Sequence, residues 1–246
     1  MEELTSAESI LEVRDLRVWF PIKKGIFSRT IGHVKAVDDV SFDMWRGETL
    51  GVVGESGSGK TTLARVIAGL QRATHGTVRP KGRVAMVFQD PLGSLNPRMT
   101  VRATLTEAAD GTAAERLVDM VGLDASALDK YPHEFSGGQR QRICIARAIA
   151  CRPSLLICDE AVSALDLSIR AQILDLLADL RQRLSLSLLF ITHDLGVVQH
   201  IADRILVMYH GRVVEEGPCG QVLRAPREEY TRRLMDSVPR IGKPLT

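Results

Sequence analysis

Four short apolar runs each end on polar residues, and this repetition constrains the fold more than any other feature of the chain. Thr49-Leu50-Gly51-Val52-Val53 runs into Gly54-Glu55-Ser56-Gly57-Ser58-Gly59-Lys60-Thr61. Val84-Ala85-Met86-Val87-Phe88 runs into Gln89, Leu155-Leu156-Ile157-Cys158 into Asp159-Glu160, and Leu188-Leu189-Phe190-Ile191-Thr192 into His193. Runs of this kind read as buried strands. In open parallel sheets, ligands bind in the crevice beyond the carboxyl ends of the strands. One glycine-rich loop, one amide, two carboxylates and one imidazole are therefore expected along one sheet edge, the equipment of a nucleotide hydrolase.

The segment from Gly54 to Thr61 matches G-x-x-x-x-G-K-[ST], with a strand before it and a helix-like stretch, Lys60 to Leu70, after it. That context marks a phosphate loop. Its glycines let successive backbone N–H groups point inward as an anion nest, and the following helix offers the positive end of its dipole. Lys60 is expected to reach the β- and γ-phosphates, and the Thr61 hydroxyl to take a Mg²⁺ position. Asp159 can hold the Mg²⁺ shell beside Thr61, and Glu160 can polarise an attacking water. An acidic pair at a strand end also suits a helix cap. Ser136-Gly137-Gly138-Gln139 opens a helix-like stretch and makes a second anion site. One triphosphate has no evident need for two such sites within one chain. A dimer in which each subunit lends its second site to the other's nucleotide answers this, although on the tetrapeptide alone an ordinary capped helix is the better reading.

Composition excludes other classes. The 246 residues suffice for one large domain or two lobes, and the apolar (45%) and charged (25%) fractions are those of a globular protein. A net charge of +2 gives no electrostatic case for nucleic acid. No apolar run approaches the ~20 residues that span a bilayer. The acidic start from Met1 to Glu8 is unlike a secretory signal, so a cytoplasmic setting is expected. Cys144, Cys151, Cys158 and Cys219 contain no Cys-x-x-Cys pair. They read as buried, reduced thiols, with a metal or iron–sulfur site as the lesser alternative.

Residues about 10–50 read as short strands and turns, with the basic stretch from Pro21 to Gly32 as a loop. Pro91, Gly93, Asn96 and Pro97 read as another loop. Helical patterns then follow over Val101 to Ala109 and Ala113 to Val121, broken at Gly111 and Gly122. They form an inserted helical lobe in a strand–helix alternation that resumes near Leu155. Ile173, Leu176, Leu177, Leu180 and Leu184 form a core-facing helical stripe. Residues after Pro226 read as a basic, partly mobile tail.

The phosphate loop, Gln89, Ser136-Gly137-Gly138-Gln139, Asp159-Glu160, Ser163-Ala164-Leu165-Asp166 and His193, in that order, resemble the ATPase subunit of ABC transporters over residues about 10–225. A narrower resemblance, to the dipeptide/oligopeptide/nickel importer branch, lies in Phe88 to Arg98, Tyr131-Pro132-His133-Glu134-Phe135, Cys158 to Asp166, and the tail from Tyr230-Thr231-Arg232-Arg233-Leu234 to Val238-Pro239. The resemblance implies an α/β P-loop NTPase (RecA-like) core over residues 1–90 and 150–225. To this it adds an antiparallel β subdomain, a helical subdomain at 91–149 and an importer-type tail at 226–246.

By the same resemblance, ATP and Mg²⁺ are bound by the loop residues Gly54, Glu55, Ser56, Gly57, Ser58, Gly59, Lys60, Thr61 and Thr62. Gln89 would meet Mg²⁺ or the attacking water and sense the membrane subunit, and Asp159 would hold the metal. Glu160 would be the general base, and His193 would touch the γ-phosphate. Ser136, Gly137, Gly138 and Gln139 would bind the partner's ATP, with Asp166 at the dimer interface. Phe20 aligns with the aromatic that stacks on adenine, Trp19 being the alternative. The implied partners are a second ATPase subunit, identical or paralogous, two membrane permease subunits and, indirectly, an external solute-binding protein, at the cytoplasmic face of the membrane. Non-transport relatives, such as the ATPase of a phosphonate-degrading complex, share branch-like motifs. Ala161-Val162 departs from the Pro-Thr commonest in the wider family, and the stretch from Leu70 to Val84 is short. The C-terminal cysteine cluster of some relatives is not carried over, since only Cys219 stands there.

Overall fold

The computed structural model describes residues 8–24, 29–163 and 165–236. Two sheets organise them. In the first, β1 (Ser9–Lys24) pairs antiparallel with β2 (Arg29–Trp45) on one side and β4 (His75–Pro80) on the other. The second contains β3 (Thr49–Val53), β5 (Val84–Val87), β6 (Leu155–Asp159), β7 (Ser187–Thr192), β8 (Arg204–Tyr209) and β9 (Arg212–Pro218). Its order is β5-β6-β7-β3-β8-β9, parallel except for the antiparallel edge strand β9.

The central strands are buried on both faces because each face meets a different core. Leu155, Ile157, Leu189 and Ile191 pack with the inner residues of β1 and β2 and with α1 (Lys60–Ile67). The alternate residues Leu156, Cys158, Leu188 and Phe190 pack against the helices. These are α3 (Val101–Ala108), α4 (Ala114–Met120), α5 (Gly137–Ala150) and α6 (Leu167–Leu184). A period-2 strand with apolar residues at every position must have a partner on each side. A third cluster joins Val53 and Val207 to α7 (Leu195–Ile201), α8 (Cys219–Arg224) and α9 (Glu229–Asp236).

The structure corrects several expectations. The stretch from Pro21 to Gly32 is no loop where it is described: Pro21 pairs with His33, Ile22 with Gly32 and Lys24 with Arg29, extending one long hairpin. Ladder pairing with β4 stops at Arg17, so Pro21 lies on an edge where its missing N–H costs nothing. β4 itself went unread because only Val78 in it is even half-buried. Pro91 and Gly93 belong to a short helix, α2 (Pro91–Ser94), started by the Asp90 carboxylate accepting the Leu92 N–H. In the α6 stripe, Leu184 is exposed and opens onto a cleft beside Arg46 and Arg116, while Leu174 takes a buried place. The tail is helical through Asp236, with Tyr230, Thr231 and Leu234 buried. Val238 and Pro239, like Met1 to Ala7, lie outside the described residues. Cys144, Cys158 and Cys219 are buried and free, as read, whereas Cys151 is half-buried.

Candidate nucleotide-hydrolysis site

β5, β6, β7 and β3 lie side by side and parallel, so the residues that follow them reach one edge of the sheet. The loop after β3 turns directly into α1. Its last glycine, Gly59, has φ 106, and a Cβ there would stand 2.1 Å from the Ala36 carbonyl oxygen. No side chain fits that approach, which fixes the identity of the position. The loop is also fastened from outside, since Ser58 O accepts the Gly211 N–H at 3.0 Å.

Lys60 is buried inside the loop. Its Nζ donates to Gly54 O and Glu55 O, both at 2.7 Å, and to Ser58 Oγ at 3.3 Å. Burial pushes the ammonium below its ordinary pKa, and the carboxylates of Glu160, Asp159 and Glu55 oppose this. The Thr61 hydroxyl donates to Asp159 Oδ1 at 3.1 Å. Burial pushes Asp159 upward, the Thr61 hydrogen bond opposes it, and the neighbouring Glu160 charge adds to the rise. A desolvated cation and a desolvated carboxylate thus stand at one sheet edge, the electrostatic setting common at functional sites.

Glu160 is the hub. Its Oε2 accepts from Gln89 Nε2 at 3.1 Å, and its Oε1 meets His193 Nδ1 at 3.2 Å. Its backbone has φ 48, a left-handed conformation uncommon for this residue type. The turn is held by its N–H donating to Ile191 O and by the Ser163 hydroxyl donating to its carbonyl, each at 2.9 Å. Strained backbone pinned by its neighbours is a mark of functional turns.

Of these groups Lys60, Thr61 and Glu160 border an open cavity of about 710 Å³, together with Ser56, Gly57, Gly59 and Thr62, while Gln89, Asp159 and His193 stand behind Thr61 and Glu160 and do not line it. Phe20, 39% exposed, lines it too. Trp19 does not: its indole N–H donates to Asp38 and its ring lies under Lys35. Sequence reasoning missed His33, Lys35 and His210 on the same wall. They sit on the β1–β2 hairpin and the β8–β9 turn, outside any motif, and only the packing of two sheets brings them there.

Ser136, Gly137, Gly138 and Gln139 do not join this cavity. They start α5 as a closed capping box, with Ser136 N–H donating to Gln139 Oε1 and Gln139 N–H to Ser136 Oγ. Gly138 faces α6 so closely that a Cβ would lie 2.6 Å from Ile169 Cγ2. Gly137 lines a smaller, separate cavity with Gln89 and Leu92. Asp166 is exposed at the start of α6.

The fold and this edge define a P-loop NTPase. A profile of the ABC transporter family matches residues 37–163. The chain is 46% identical to the oligopeptide transport ATP-binding protein AppF of Bacillus subtilis (strain 168), over 94% of this chain and 79% of the relative. It is 44% identical to the probable D,D-dipeptide transport ATP-binding protein DdpF of Escherichia coli (strain K12), over 97% and 82%. Among solved structures, a dimeric ATP-binding cassette in a post-hydrolysis state bound to ADP and Pi shares the fold. That match has a TM-score of 0.73 and 24% identity over 85% of this chain and 98% of that one. The chain belongs to the ABC transporter family, and it is an ATP-binding, ATP-hydrolysing subunit of that family.

Proposed function

We propose that this chain is one of two ATPase subunits that together drive uptake of a peptide-class cargo through a membrane permease, and that Glu160 is the general base of the reaction. The observation that carries this reading is the clasp of Glu160 between Gln89 and His193, one residue beyond the Thr61–Asp159 pair. The names of AppF and DdpF support the cargo class. Nickel or a metal chelate is the other cargo the branch resemblance allows.

In this mechanism the loop N–H groups and Lys60 hold the ATP phosphates. Lys60, held by Gly54 O, exchanges its contacts with Glu55 O and Ser58 Oγ for phosphate oxygens. The Thr61 hydroxyl, the Asp159 carboxylate and the Gln89 amide oxygen are hard oxygen donors, the set that Mg²⁺ takes. Bound there, Mg²⁺ neutralises charge on the phosphates. Glu160 accepts a proton from the water whose oxygen attacks the γ-phosphorus. The bond from that phosphorus to the β–γ bridging oxygen breaks, leaving ADP and inorganic phosphate. His193 orients Glu160 and reaches the γ-phosphate, and Phe20 stacks on adenine.

Ser136, Gly137, Gly138 and Gln139 serve the partner's nucleotide, which accounts for their absence from the chain's own cavity. Leu167, 83% exposed immediately after Asp166, offers an uncovered apolar side chain to the partner subunit. Leu92 and Tyr131, both exposed, are candidates for the permease contact. We assign the core to residues 1–90 and 150–225, the helical lobe to 91–149 and the tail to 226–246. The site of action is the cytoplasmic membrane face; no helix among the described residues is long and apolar enough to cross a membrane.

Glu160→Gln tests the assignment. It keeps the side-chain size and one acceptor oxygen and removes the base. ATP affinity should be retained while turnover in the assembled complex falls by about 10²–10⁴-fold. Normal turnover in this variant removes Glu160 from its role. Co-purification of the chain with membrane subunits separates the transporter reading from a soluble complex.

A further inference from the structure

Tyr230 lies outside every motif that carries nucleotide chemistry, yet it touches the phosphate loop. Its hydroxyl oxygen accepts the Glu55 backbone N–H at 3.0 Å, across 175 residues of sequence. The ring is 7% exposed and packs on Tyr209, with centroids 4.0 Å apart and 30° between planes. Tyr209 ends β8, the neighbour of the strand that feeds the loop. The approach to α9 is anchored as well, since the Glu215 carboxylate accepts the N–H groups of Arg227 at 2.8 Å and Glu228 at 3.2 Å.

The bonded N–H is informative. It belongs to the same planar peptide unit as the Gly54 carbonyl, and that carbonyl receives Lys60 Nζ at 2.7 Å. One peptide plane is thus gripped on one side by the lysine that binds phosphate and on the other by a tyrosine from the tail. Rotation of the plane would displace both groups together. We propose that Tyr230 is a positioning residue of the phosphate loop, fixing the Gly54–Glu55 peptide so that Lys60 and the loop are set for triphosphate. Helix α9 is thereby a structural part of the nucleotide site, not an appendage to it. This inference rests on the reading of residues 54–61 as the ATP phosphate loop.

Tyr230→Phe deletes the hydroxyl and keeps the ring. In the full chain, titration calorimetry with a non-hydrolysable ATP analogue should give a Kd raised by about three- to tenfold, the scale of one hydrogen bond. Turnover at saturating ATP should stay within about twofold, so that KM moves and kcat does not. Val222→Ala, which thins the same apolar cluster without touching the loop, is the control for general loosening. It should lower Tm at least as much and leave the Kd unchanged. Unchanged affinity in Tyr230→Phe, or an equal loss in Val222→Ala, overturns the proposal. Lys60→Ala in the same titration isolates the underlying reading. If it too binds normally, the phosphate-loop assignment fails; if it loses affinity while Tyr230→Phe does not, only the role of Tyr230 fails.

Discussion

Glu160 and Lys60 are both held by several hydrogen bonds at once, and each position was foreshadowed differently in the sequence. The identities were legible because a polar residue after a buried strand has one edge to stand on. The left-handed turn at Glu160 was not, since nothing in Asp159-Glu160 encodes φ 48. That conformation is held by Ile191, which meets Glu160 only once β7 lies beside β6, and by the Ser163 hydroxyl three residues further on. Lys60→Ala removes a charge that is 5% exposed and leaves two loop carbonyls without their donor. With charged hydrogen bonds contributing about 1.5–3 kcal/mol, ATP affinity in the variant should fall at least about tenfold, measured by calorimetry. Unchanged affinity would contradict the phosphate-loop assignment.

At the scale of elements, the four parallel strands that lead to the site, of five in the sheet, were readable from their apolar runs, whereas the antiparallel sheet was read as short pieces. Its strands bury one face, contain aspartates in left-handed bulges at Asp15 and Asp39, and carry Pro21, all of which weaken local strand signals. What holds the hairpin to the second sheet is partly Asp38. This buried carboxylate accepts the Trp19 indole N–H from β1 at 3.2 Å and two Arg212 donors from β9, the shorter at 2.7 Å. The Arg212 hydrogen bond holds its pKa below the ordinary carboxylate range despite burial. A group with a depressed folded pKa contributes stability above its unfolded value of about 4. That contribution disappears as pH falls through the folded value. Asp38→Asn should therefore lower the denaturant midpoint at pH 7, and the gap to wild type should narrow below about pH 4. A gap that stays constant into acid would show that the charge of Asp38 plays no part.

The whole molecule places the glycine-rich loop, Lys60 and Thr61 on one cavity and Gly137, at the start of α5, on a different one. That arrangement makes sense for a pair of subunits facing one another, each finishing the other's site, and it gives the exposed leucine after Asp166 a purpose. Single apolar side chains on a surface are ordinary, but Leu167 is 83% exposed at the first turn of α6, beside Asp166, which the resemblance places at the dimer interface. Burying a leucine there contributes about 1.5–3 kcal/mol. Glu160→Gln with ATP, which stalls the reaction before hydrolysis, should therefore produce a species of twice the 27.1 kDa chain mass in light scattering, or a one-to-one complex with a paralogous ATPase. Adding Leu167→Asp should weaken that association by about tenfold or more while leaving ATP affinity of the single subunit intact. Association that ignores the charge at residue 167 would move the interface elsewhere. Hydrolysis at full rate by a chain that never pairs would remove the need for an interface, because Ser136 and its neighbours would then have no nucleotide to serve.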